Sequence, residues 1–191
     1  MTPGQAVAAA RRVGGISQRE LSRLSGVPQP SISRIEGGQD ATVGTVDRLL
    51  RHLGAQLSWL PTGKLTAAAA AERISRHLAA DRGLLVIQRP FWQLADDLAT
   101  SAPVLRAALV VAPPSPTGEA RYDAAISALV EYRLAQVGIE APEWAHDPDR
   151  VADPEWLVCE RPRLEPFVRA ETPEPFGRRG VLISPDDLVS V

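Results

Sequence analysis

Residues 15–38 read GISQRELSRLSGVPQPSISRIEGG, and this stretch narrows the possible folds more than any other part of the chain. Ser17 is placed to begin a helix, its hydroxyl accepting a backbone N–H that has no partner inside the helix. Glu20, three residues on, is placed to reach back and complete a capping box. Leu21 and Leu24 give the short helix an apolar stripe, and Gly26 ends it with a residue that tolerates a left-handed turn. After Val27-Pro28 a second helix is predicted to start near Gln29, with Pro30 in its first turn, where no N–H is needed. Ile32 and Ile35 then face inward. Gln29, Ser31, Ser33 and Arg34 face outward.

Two short helices joined by a glycine turn, the second polar on its outer face, predict a helix-turn-helix. The spacing resembles the phage-repressor (Xre/Cro) class of helix-turn-helix regulators over roughly the first third of the chain. The matching residues are Arg11, Ile16-Ser17-Gln18, Glu20-Leu21, Gly26-Val27, Ile32-Ser33-Arg34-Ile35-Glu36-x-Gly38, and the run from Leu49 to Gly54. The resemblance implies a structural ion pair between Arg11 and Glu36. It also implies that the second helix of the motif enters the major groove, with Gln29 and Arg34 on base edges and Gln18 near a phosphate. Ser31 and Ser33 are short enough to reach either. Pro30 departs from the pattern by standing where a polar base-reader is common, so its ring is expected against a thymine methyl or out of the reading set.

Around this motif, apolar spacing predicts a first helix over residues 5–13 and a fourth from about Thr42, with Val46, Leu49, Leu50 and Leu53 inward and Gly54 at its end. Alternation over residues 55–59 reads as a short strand, and Pro61-Thr62-Gly63-Lys64 as a linker. A helix follows over residues 66–80, with Ala67, Ala71, Ile74 and Leu78 on one stripe. Residues 84–87 read either as a brief strand or as the end of that helix. Pro90 and Pro103 each open a further helix, the first holding Phe91, Leu94 and Leu98, the second running through Leu109. The proline-rich run 113–118 is a loop, and a longer helix burying Tyr122, Ile126 and Leu129 runs from Glu119 to about Val137.

The last fifty residues are dense in proline and aromatics, and read as an irregular arm with a helix start at Ser184-Pro185. The expected fold is therefore mainly α with little β. A helix-turn-helix bundle occupies residues 1–60, a helical domain 61–141, and a Pro/Trp-rich arm 142–191, packed on that domain or on a partner. Thr117-Gly118-Glu119-x-Arg121-Tyr122-Asp123-Ala124-Ala125, Pro142-x-Trp144 and Thr172-Pro173-x-x-Phe176-x-x-Arg179-Gly180-Val181-Leu182-Ile183 are similar to segments of actinobacterial antitoxin-like regulators. That similarity implies a toxin partner from a neighbouring gene, with Trp144, Trp156 and Phe176 as binding anchors, or as pins holding the arm to its own domain.

Charge separates the chain in the same way. Residues 1–60 carry seven arginines and four acids, whereas residues 142–191 carry six arginines and eleven acids. A basic head suits a phosphate backbone and an acidic tail does not. The three histidines are scattered, the single Cys159 has Glu160 beside it, and neither a metal-ligand spacing nor a phosphate-cradling glycine loop occurs. No catalytic centre, metal or cofactor is expected. No apolar run is long enough to span a bilayer and the start lacks a signal-peptide layout, so a cytoplasmic, nucleoid-associated protein is expected. The expected partners are double-stranded DNA with an inverted-repeat operator and a second copy of the chain. The competing reading is a protein-interaction module whose head no longer reads DNA.

Overall fold

The protein, described from a computed structural model over residues 2–57, 63–159 and 162–189, divides into two compact units, Met1–Pro61 and Thr62–Val191. The described residues are mainly α-helical, with very little strand.

The first unit holds α1 (Pro3–Val13), α2 (Gln18–Ser25), α3 (Gln29–Glu36) and α4 (Val43–His52). Each begins where local chemistry supplies a start. Thr2 and Gln5 form a reciprocal capping box on α1, and Ser17 and Thr42 accept the third N–H of α2 and α4. Glu20 does not complete the box expected at Ser17, because its carboxylate lies on Arg23, 2.6 Å away on the same helix face. Gly26 closes α2 at φ 70°, a conformation costly for any residue with a Cβ. Val7, Leu21, Val27, Ile32, Ile35, Val46, Leu49 and Leu50 make one core. Leu24 was expected in this core and is 40% exposed instead. Ser25 takes the inward position, its hydroxyl satisfied by the Leu21 carbonyl at 2.6 Å. Of the strand expected over 55–59, residues 55–57 are irregular, while Ser58 and Trp59 lie outside the described residues, as do Pro61 and Thr62 of the expected linker.

The second unit is built around α8 (Ala120–Ala135), which is buried on nearly every side: Tyr122, Ala125, Ile126, Leu129, Val130 and Leu134 are all within its core. Packed with it are α5 (Ala67–Ala79), α6 (Leu84–Ala99) and α7 (Pro103–Val110). Neither reading of residues 84–87 holds, since they form the first turn of α6, and Pro90 lies inside that helix rather than at its start. A proline there costs about 3 kcal/mol. The stripe Ile87, Phe91, Leu94 and Leu98 crosses it uninterrupted and is buried. Each such side chain contributes ~1.5–3 kcal/mol, so burial outweighs the missing bond.

The C-terminal stretch is integral to this core rather than laid over it. It holds β1 (Trp156–Leu157), α9 (Glu165–Glu171), α10 (Glu174–Gly177) and β2 (Val181–Leu182), with 3-10 turns at Glu143–His146, Pro162–Leu164 and Pro185–Leu188. The strands pair in parallel, Trp156 opposite Val181 and Leu157 opposite Leu182. Ser184 caps the last turn. The anchors implied for a partner are engaged internally. Phe176 is fully buried against Tyr132, and Trp156 is buried against Tyr122. Trp144 is half-buried and donates its indole N–H to the Val110 carbonyl at 2.9 Å. Large aromatic rings flanking α8 gain more from this core than they could from a surface exposed until a partner arrives.

Candidate nucleic-acid interface

α2 and α3 are set at their mutual angle by the turn between them. Gly26 reverses the chain, Val27 drops into the core, and Pro28 precedes the first turn of α3 with its φ fixed. Pro30 sits in that first turn, where its missing N–H leaves no gap in the helix ladder. Ile32 and Ile35 bury one side of α3. The opposite side presents Pro30, Ser33 and Arg34 to solvent, with Gln29 and Ser31 half-buried at its flanks.

A chain of polar contacts fixes this face. Arg11 on α1 grips Glu36 at the end of α3 with two parallel bonds, Nε to Oε1 at 2.7 Å and Nη2 to Oε2 at 2.9 Å. Its Nη1 donates to the Ile16 carbonyl at 2.9 Å, tying the α1–α2 turn into the same fork. Glu36 Oε2 also accepts from Gln18 Nε2 at 2.8 Å. A carboxylate only accepts, so Gln18 must turn its NH2 inward and its Oε1 outward. That oxygen accepts from Gln29 Nε2 at 3.0 Å. The hydrogen bond from Arg11 is the main reason the Glu36 carboxyl lies below the ordinary carboxylate range, with Gln18 adding to it against the opposing effect of burial. Arg11 is raised correspondingly, first by its bond to Glu36.

The residues singled out in the sequence thus fall into two groups. Arg11, Glu36, Gln18 and Gln29 form one continuous network across three helices. Arg34 and Ser31 lie beside it, Arg34 folded back along its own helix with Nε 3.3 Å from the Pro30 carbonyl and Nη2 3.5 Å from Ser31 Oγ. Ser33 and Pro30 are exposed on the same helix. Sequence reading missed the wall facing them. A cleft of about 390 Å³ is lined by Ser31 and Arg34 on one side and by Gln39, Asp40, Thr45 and Arg48 on the other. The spacing of Thr45 and Arg48, one turn apart on the polar side of α4, was the available signal. Gly44 sits exposed in the first turn of α4 with open space where a Cβ would be.

Residues 7–60 match the family model described as Helix-turn-helix. No curated protein and no solved structure matches the chain. No helix among the described residues is long and apolar enough to cross a membrane. Over residues 7–60 the chain is a helix-turn-helix domain of the kind that DNA-binding transcription regulators carry.

Proposed function

We propose that this protein is a sequence-specific repressor that binds an inverted-repeat operator as a homodimer, with α3 in the major groove. The observation that carries the reading is the network from Arg11 through Glu36 and Gln18 to Gln29, which holds the start of α3 rigid beside an exposed polar face. Gln29 keeps its Oε1 and one N–H for an adenine edge, the donor–acceptor pair adenine requires. Arg34 is free to unfold from its weak contacts with Pro30 and Ser31 and to meet a guanine in a bidentate fork, worth ~1–3 kcal/mol of discrimination. Pro30 offers an apolar surface for a thymine methyl. Ser31 and Ser33 reach base or phosphate, and Arg48 and the uncrowded first turn of α4 suit the phosphate backbone.

One head makes few such contacts, so two heads on half-sites about 34 Å apart supply the affinity. Such a protein acts in the bacterial cytoplasm, at the nucleoid. The test is selection of bound duplexes from a random pool by the full chain, followed by titration of the winner at several salt concentrations. Enrichment of an inverted repeat, with affinity falling steeply as salt rises, is the expected result. Absence of any preferred sequence overturns the reading, and leaves the head as an interaction module. In an antitoxin role Trp144, the half-buried one of the three rings, is the anchor left within a partner's reach, and co-purification with the product of the neighbouring gene is the test.

A further inference from the structure

α9 buries none of its side chains. Phe167 is 69% exposed, and Leu164, in the 3-10 turn that runs into the helix, is 45% exposed. Ala170 is exposed as well. Spaced by three, these residues share one face of the helix and make an apolar stripe turned to solvent. A phenylalanine ring left there forgoes the burial that Phe176 obtains in the same stretch of chain.

The same face carries one charge of each sign. Arg163 stands four residues before Phe167 and Glu171 four residues after it, so helical spacing sets them about one turn to either side of the ring. Both are exposed. Among the described residues neither has an ion pair, and the Glu171 carboxylate accepts only a long 3.4 Å bond from the Ser184 hydroxyl. Glu165 and Arg169, two residues from the ring, fall on the other side of the helix. There Arg169 reaches Glu155 at 2.8 Å and Glu165 at 3.1 Å, so those charges are already satisfied within the chain.

We propose that two copies of the chain pair through α9, antiparallel about a two-fold axis beside Phe167. A two-fold axis presents one patch to itself, so that residue i meets j and j meets i. Turned end for end, Arg163 lies against Glu171 of the second copy, and Glu171 against Arg163 of the second copy. The two Phe167 rings meet at the axis, with each Leu164 beside the opposite Ala170. A parallel pairing would set like charges together, and a partner of a single sign would satisfy only one end. The face is complementary to itself. This pairing rests on the homodimer proposed above and gives it a surface. So short a helix pair buries less than the ~1,200 Å² of a standard interface, which makes the dimer weak until two half-sites also hold it.

The test is sedimentation equilibrium of the full chain without DNA, over a micromolar concentration series, beside a thermal melt. The native chain is expected to self-associate reversibly. Phe167→Ser should weaken that association about tenfold or more and leave the melting temperature unchanged, because the ring lies outside the core. Arg163→Glu and Glu171→Arg should each weaken it about tenfold by setting like charges opposite one another. Mixed in equal amounts, these two variants should associate again, since each carries the sign the other lacks. A folding defect is not cured by mixing. A native chain that stays monomeric throughout overturns the proposal. Unchanged association of Phe167→Ser also overturns it, and hands the face to a different partner. Charge variants that remain dissociated when mixed overturn the antiparallel pairing. Arg34→Ala should associate as the native chain does. Association lost with Phe167→Ser, in a chain that selects no duplex, would sustain this pairing while overturning the reading of the head.

Discussion

Gln29 donates its side-chain amide to Gln18 Oε1 at 3.0 Å, joining the first residue of α3 to the first residue of α2. Neither amide is free to rotate, because the NH2 of Gln18 is held by Glu36 at 2.8 Å. The side chain proposed to meet a base is thereby oriented before any DNA arrives, and less rotamer entropy would be lost on binding.

Gln18→Ala should accordingly separate binding from stability. Glu36 keeps both bonds from Arg11, so the melting temperature should change little, while operator affinity falls about tenfold as Gln29 loses its brace. Fluorescence anisotropy beside a thermal melt reads both. A melting temperature that falls in step with the affinity would show that Gln18 only holds the fold.

The pair of Arg11 and Glu36 makes the head sensitive to acid. Because Glu36 titrates below its unfolded value, the stability it confers is complete above the ordinary carboxylate range and disappears as the pH falls through the depressed value. Glu36→Gln should flatten that acid limb. Arg11→Ala leaves a carboxylate that is only 8% exposed without its cation, and should cost roughly 3 kcal/mol at neutral pH. Urea denaturation across a pH series checks both.

Arg34→Ala should relax operator preference at one base position per half-site, by ~1–3 kcal/mol, with no loss of head stability, since its side-chain hydrogen bonds among the described residues are long and exposed. Binding to duplexes permuted at that position is the measurement. An unchanged preference removes Arg34 from the reading set.

Gly4 brings α1 against the backbone of α3, where an added Cβ would lie 1.8 Å from the Ile35 carbonyl oxygen. Gly4→Ala cannot be absorbed by a side-chain rotation, because the obstacle is backbone. It should destabilise the first unit by about 1–3 kcal/mol or more, the scale of overpacking, despite alanine's higher helix propensity. Denaturation followed by circular dichroism would detect it.

Arg106 performs a structural task in the second unit. It is 7% exposed, and its guanidinium donates to the carbonyls of Arg133 at 2.8 Å, Ala99 at 3.0 Å and Ser101 at 3.3 Å. These carbonyls lie toward the C-terminal ends of α6 and α8, where a cation is favoured by the helix dipole. Arg106→Ala would strand two buried acceptors, the carbonyls of Arg133 and Ser101, at ~1–3 kcal/mol each, and a half-buried one at Ala99. The second unit should then unfold at lower denaturant while Arg11-dependent unfolding of the head is unchanged, as read by separate probes on the two.

The elements legible in the sequence are those whose signals are local. Ser17, Gly26 and Pro28 mark the bounds of α2 and the start of α3 within a few residues of one another, and Thr42 and Gly54 do the same for α4. The start of α6 was not legible. Gly83 offers no side-chain cap, and Pro90 points to a helix start when taken alone. Its place inside the helix follows only from burial of Phe91, Leu94 and Leu98 against other segments. Glu20 is a similar case, where two local options, Ser17 and Arg23, were equally open to one carboxylate.

By itself, then, the order of residues specified the helix-turn-helix, because caps, turn glycines and a helical apolar period act over one or two turns of chain. Only the tertiary structure decided what became of the C-terminal fifty residues. Trp156 pairs with Val181 across a long stretch of intervening chain, and Phe176 and Trp156 close over α8. Aromatic rings in a proline-rich segment look the same in sequence whether they anchor a partner or a core. Which of the two they become depends on whether a buried helix lies within reach, and that is a property of the folded chain.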